Sequence, residues 1–148
     1  MQLDPYFVPP KALADTLVQA YFMTLHIIVP IISKPDFVEQ YDLLSQSGDP
    51  FRVSNRWLSI INLVFAIGQR YFESMGNVAD QQHLTFFMRA RVLGALDGGI
   101  LFVIPTLQDV QVLGLMGMYL LSSKLTNRYF VVARLVRSVC LFLGSNTT

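Results

Sequence analysis

Charge is what this sequence has least of. Only 14% of its 148 residues are Asp, Glu, Lys or Arg, while 53% are apolar; an average soluble domain is about 25% charged. A chain this poor in charge cannot coat a sphere, so it either sits in a membrane or hides surface against a partner or a further segment. Long apolar runs are missing too. A spanning helix needs about 20 apolar residues. The longest stretches here, Trp57 to Gly68 and Val110 to Leu121, reach only about 12, and the first carries Ser59 and Asn62. No membrane association is expected. A single cysteine, Cys140, excludes an internal disulfide and is expected to be a reduced core residue in an apolar helical run. With a net charge of +1 and scattered Lys and Arg, there is no basic stripe for duplex DNA, so direct nucleic-acid binding is not expected. Met1 to Pro10 has Asp4 but neither a positive n-region nor an apolar h-region, so a secretory signal is not expected, and Asn146-Thr147-Thr148 reads as a chance glycosylation triplet. Alternation with period two and internal repeats are also missing.

What is present is helical periodicity with turn punctuation. Pro9-Pro10 opens a helix over about 11 to 28, with Leu13, Leu17, Tyr21, Leu25 and Ile28 at helical spacing, and Pro30 stops it. Ser33-Lys34-Pro35-Asp36 caps a short helix over about 36 to 45, and "SQSGDP" closes it. Ser54 caps a third helix over about 55 to 74, apolar on nearly every side through Ile67 and so expected to be central and buried. A fourth, after Asp80, spans about 81 to 97 and ends at "DGG". Thr106 and Asp109 form a capping-box-like start for a fifth, to about Ser122. After the turn "KLTN" a sixth runs over about 127 to 143, stopping at Gly144. The fold class is all-α, one domain of about six helices, with residues 1–10 and 145–148 as tails and oligomeric packing expected.

Several blocks resemble a known family. Tyr21-Phe22, His26, Pro30-Ile31-Ile32 and Pro35-Asp36-Phe37 match, in order and spacing, an opening aromatic pair, histidine, Pro and Pro-x-Phe. Ala66, Gly68 and Tyr71 match an Ala-x-Gly-x-x-Tyr helix, and Phe87, Ala90 and Arg91 an aromatic-x-x-Ala-Arg segment. Pro105, Thr106, Leu107, Val110, Gln111, Tyr119, Asn127, Arg128 and Tyr129 match a Pro-[Ser/Thr]-Leu-x-x-Val-Gln helix and the start of the next. Together these resemble the fungal-specific transcription factor domain, the middle homology region downstream of binuclear zinc-cluster DNA-binding domains. The chain departs from the pattern at its end: Ala133, Leu135, Val139 and "GSNTT" stand where the family has small residues and Gly-Leu-His. One cysteine cannot supply the six thiolates of a zinc cluster, and the family's downstream helices have no counterpart here. The resemblance therefore implies the first half of such a domain.

His26 lies on an apolar face beside Phe22 and Val29. As a general base it needs an orienting partner and access; as a structural group it needs one hydrogen bond, for instance to backbone freed by Pro30, and the matching family histidine favours this role. Pro30 and Pro35 re-aim the chain and swing Phe37 onto the core. Asp36, Glu39 and Asp42 read as an acid cluster or, more simply, as carboxylates complementing a helix dipole. Arg89, Arg91, Arg134 and Arg137 could hold an anionic effector, but a solvated edge or an ion pair with Asp97 or Asp109 is the simpler reading. Gly114-Leu115-Met116-Gly117 marks a close approach of helices. His83 is expected at an exposed helix start. No two of His26, His83 and Cys140 have metal-ligand spacing, so neither metal nor cofactor is expected.

Two functional readings remain. The first is a regulatory and dimerisation module, a homodimer by its low charge, with a small apolar effector held among Phe22, Met23, His26, Phe65, Phe87, Met88, Met116 and Tyr119, joined by Met118. The second is a cofactor-free enzyme, a cyclase, dehydratase or isomerase acting on an apolar metabolite, with His26, Asp36, Tyr21 and Arg91 as acid-base groups. The first places the chain in the nucleus as part of a full-length regulator, the second in the cytoplasm.

Overall fold

The eleven residues from Leu58 to Gly68 include no charged side chain, so the helix that carries them has no solvent face to offer. In the computed structural model, which describes residues 2–75, 81–96, 105–122 and 138–144, all eleven are buried. They belong to α4 (Asn55–Ser74), which is packed by α1 (Lys11–Met23), by α6 (Leu107–Ser122) and most extensively by α5 (Gln82–Leu96). The bundle is all-α; among the described residues there is no strand.

Burial of α4 on several sides requires its polar atoms to find partners. Ser59 Oγ donates to the Ala90 carbonyl at 2.9 Å, tying α4 to α5, and Asn62 Nδ2 donates to the Leu58 carbonyl at 2.9 Å. Close approach of α1 is what Gly68 permits: a Cβ there would stand 2.3 Å from the Leu17 carbonyl oxygen. A row of rings then runs through the core, Phe22 to Phe37 at 5.3 Å, Phe37 to Tyr41 at 5.9 Å, Tyr41 to Phe65 at 6.4 Å and Phe65 to Phe86 at 5.4 Å.

The first helix expected from the sequence is broken. α1 ends at Met23, Thr24 leaves helical geometry at φ −118°, ψ −92°, and one further turn follows as α2 (Leu25–Ile28). The Thr24 hydroxyl donates back to the Ala20 carbonyl at 2.6 Å, the side-chain competition by which Thr bends helices. Beyond α2, the Pro30–Pro35 corner turns the chain inward: Ile31 meets Gly114 of α6, Ile32 is buried, and Phe37, on α3 (Lys34–Ser47), is fully buried. What approaches Gly114 is thus a loop side chain, where a helix had been expected.

Caps follow the sequence signals. Ser33 Oγ accepts from Asp36 N at 3.5 Å, Ser54 Oγ from Trp57 N at 3.3 Å, and Gly48 closes α3 at φ +66°. At α6, Asp109 Oδ2 accepts from Thr106 N at 2.7 Å while Asp109 N donates to Thr106 Oγ1 at 3.4 Å, a reciprocal capping box. Arg56 Nε donates to Asp109 Oδ1 at 2.9 Å. Arg56, not one of the four arginines singled out from sequence, is therefore the partner of Asp109.

At the N-terminus, Arg89 donates to the Asp4 carbonyl at 3.1 Å and lies 4.5 Å over the Phe7 ring, and Tyr6 Oη donates to Asn55 Oδ1 at 3.2 Å. Of the sixth expected helix, residues 138–144 are helical. There Val139 is buried and Cys140 exposed, which reverses the core position expected for the cysteine. Asp80, the "DGG" stop, Asp97, the "KLTN" turn, Asn127, Arg128, Tyr129, Ala133, Arg134, Leu135 and Arg137 lie outside the described residues.

Candidate functional site

On one face of α4 the residues Ile67, Arg70, Tyr71 and Ser74 follow one another at the i, i+3, i+4, i+7 spacing that makes a helical stripe. This stripe is the floor of a groove of about 820 Å³. One wall comes from Met23, Thr24 and α2, where the Thr24 break turns Leu25, Ile27 and Ile28 towards it; the other is Met118, Leu121 and Ser122 at the end of α6. The rim is open to solvent, with Met23 64%, Ile27 72% and Ile28 79% exposed. Among the described residues that line it, Arg70 is the sole charged side chain.

Arg70 also touches a polar chain beneath the groove. Its Nη2 donates to the Ser122 carbonyl at 3.2 Å, satisfying a carbonyl at the C-terminal end of α6. Its Nη1 lies 3.4 Å from His83 Nε2. His83 Nε2 is closer, at 3.2 Å, to a Glu73 carboxylate oxygen, and His83 Nδ1 is 2.7 Å from the Tyr119 hydroxyl. Nε2 thus faces both the Arg70 donor and the Glu73 acceptor, and Nδ1 pairs with the Tyr119 hydroxyl in either neutral tautomer. Burial holds the His83 pKa below its ordinary value; Glu73 opposes that shift and Arg70 reinforces it. His83 is buried at 8% exposure, correcting the exposed position read from sequence. The signal was present, since His83, Phe86, Phe87, Ala90 and Leu93 share one buried face of α5.

The residues selected from sequence as a ligand-binding set do not share one cavity. Met23 lines the groove, as does Met118. Phe22 lies beside a separate shallow pocket with Lys34 and Tyr41, its ring 5.2 Å from Lys34 Nζ. Phe65, Phe87 and Tyr119 are core, with Phe87 and Tyr119 stacked at 4.3 Å; Met116 is partly buried against them and Met88 is on the surface.

Nor are the four acid-base candidates gathered. Tyr21 and His26 are neighbours, their rings 5.9 Å apart, and the His26 ring meets Phe22 edge-on at 4.8 Å. Among the described residues neither the Tyr21 hydroxyl nor His26 Nδ1 has a hydrogen-bond partner, so the expected bond from His26 to backbone near Pro30 is not formed at Nδ1. Burial, with Lys34 adding to it, lowers the His26 pKa, and burial raises that of Tyr21. Asp36 sits at the exposed start of α3, where its N–H meets Ser33, and Arg91 is exposed on α5 with its guanidinium 3.9 Å from Met88 Sδ. Arg70, Glu73 and Ser122 are the site residues that sequence reasoning did not single out, while Tyr71 entered only through the family block and His83 only as an exposed helix start. Arg70 breaks the apolar stripe just where α4 ceases to be apolar on every side, which was the available clue.

Comparison with known proteins places this arrangement in a family. The model of the fungal specific transcription factor domain matches residues 18–146. The transcription regulator galc of Aspergillus niger is 34% identical over 148 residues, covering 97% of this chain and 18% of that protein. The sorbicillinoid biosynthetic cluster transcription factor sor3 of Hypocrea jecorina is 35% identical over 114 residues, 75% of this chain and 17% of that protein. The sorbicillinoid biosynthetic cluster transcription factor 2 of Penicillium rubens is 29% identical over 143 residues, 92% of this chain and 21% of its own length. The chain thus spans about a fifth of the length of these relatives. No solved structure matches it significantly. Among the described residues no helix is long and apolar enough to cross a membrane. The match over residues 18–146, most of the chain, establishes that it belongs to the fungal specific transcription factor domain family.

Proposed function

We propose that the chain is the regulatory part of a longer fungal transcription regulator of secondary-metabolite genes, acting in the nucleus and responding to a small apolar molecule held in the groove between α2, α4 and α6. The observation that carries this reading is the groove itself. Its volume of about 820 Å³ falls within the range of small-molecule sites, and its lining is mostly apolar with a few polar groups. Relatives named as regulators of a biosynthetic cluster support the gene class. Titration with Nile red, an uncharged fluorescent probe, tests the binding: saturable one-to-one binding is expected, weakened by Leu121→Trp, which fills the groove from α6. An absence of saturable binding defeats the reading.

We also propose that the chain self-associates. Ile27, Ile28, Phe51 and Leu141 are each at least 65% exposed, on a molecule with little charge to keep such side chains apart. Light scattering after size exclusion is expected to give the mass of two chains, and a monomer that persists at high concentration refutes this.

A further inference from the structure

Resting on the groove reading above, we propose that the molecule it holds is an apolar carboxylic acid, its chain lying along Ile28, Ile67, Met118 and Leu121 and its carboxylate at Arg70 and Tyr71. Four hydroxyls line the groove among the described residues, and three of them give their proton to nearby backbone: Thr24 to Ala20 at 2.6 Å, Ser74 to Tyr71 at 2.6 Å and Ser122 to Tyr119 at 2.7 Å. The donors left in the lining are the Arg70 guanidinium and the Tyr71 hydroxyl.

Charge points the same way. The nearest candidate counterion, Glu73, is turned to His83 at 3.2 Å and accepts from Gln69 at 3.4 Å. Among the described residues no carboxylate lies within ion-pair distance of Arg70. The acceptors that the guanidinium meets among the described residues are the Ser122 carbonyl at 3.2 Å and His83 Nε2 at 3.4 Å. A fork of five N–H donors with two neutral acceptors, half-buried in an apolar groove, is matched by a group that accepts in a plane and carries negative charge. A neutral hydrocarbon would leave those donors facing apolar surface, at the cost of desolvating them. The volume fits a small molecule whose body the rim isoleucines and Met118 can cover.

The probes are decanoate and decan-1-ol, titrated into the 148-residue protein and followed by amide shifts of Ile28, Tyr71 and Leu121. Decanoate is expected to bind about tenfold tighter than the alcohol, the scale of one charge-assisted hydrogen bond. Arg70→Met is expected to make the two probes equal and Arg70→Lys to keep most of the preference. Because Arg70 also holds the end of α6, a second variant leaves it in place: Ile28→Glu, at a position 79% exposed, is expected to weaken decanoate by more than it weakens decan-1-ol, whose loss reports only the missing Ile28 contact. Equal affinity for both probes in the unaltered protein overturns the proposal while leaving the apolar-effector reading intact. Failure of both to bind overturns the two together. If both probes bind only as the protein dissociates from a dimer, a second copy occupies the groove and the proposal falls.

Discussion

Single atoms in this bundle carry large consequences because the helices leave little slack. At Gly68 a methyl group would meet Leu17 backbone, which cannot rotate away, so Gly68→Ala is expected to destabilise the fold by about 1–3 kcal/mol in chemical denaturation. Tyr119→Phe removes the hydroxyl from the 2.7 Å contact to His83 Nδ1 and leaves that nitrogen without this partner in the core, with an expected loss of about 1–3 kcal/mol. His83 sets a pH dependence. Its folded pKa lies below the ordinary 6.5, so on acidification the unfolded chain takes up the proton first. The stability it contributes is full above about 6.5 and is lost as pH falls from there towards the folded value. Denaturation at about pH 7.5 and about pH 5 should show a shallower decline in His83→Gln than in the parent protein. Gly68 was legible in the sequence as part of the Ala-x-Gly-x-x-Tyr block. His83 was not read correctly, because its position at a helix start suggested exposure and outweighed its register with Phe86, Phe87 and Ala90.

Helix ends in this protein are set by short-range chemistry that a sequence displays openly. The expected start at Ser54 and end at Ser74 agree with α4, and Thr106 with Asp109 starts α6 as its pattern implied. Ser54→Ala is expected to cost about 1 kcal/mol. Asp109→Ala should cost more, about 2 kcal/mol, since the same carboxylate caps α6 and receives Arg56 from α4; the difference between the two variants in urea midpoint checks this. The break between α1 and α2 was hidden because periodicity does not distinguish a straight helix from one whose threonine bonds backwards. That break matters for the site, since it aims Ile27 and Ile28 along a groove a continuous helix would line differently. The groove was hidden for a related reason: Met23, Arg70 and Leu121 stand far apart in the chain, and only the docking of α1, α4 and α6 brings them to the two walls and floor of one groove.

For the molecule as a whole, the all-α class and the central place of one helix followed from hydrophobic pattern alone, while the partnership of buried polar groups did not. Low charge pointed to covered surface, and the exposed isoleucines at the groove rim show where uncovered apolar area lies. If the dimer covers these side chains, Ile27→Asp is expected to shift the light-scattering mass to one chain with little change in helical signal, because Ile27 is 72% exposed in the chain by itself. The surroundings of α4 carry one more implication. A helix enclosed by three others cannot open a few residues at a time, so its peptide hydrogens from Ile60 to Ala66 trade with deuterium only when the entire bundle comes apart. Their slowest exchange is then a direct gauge of how firmly the assembled protein holds together, and any molecule lodged between α2 and α6 should announce itself there by slowing a clock it never touches.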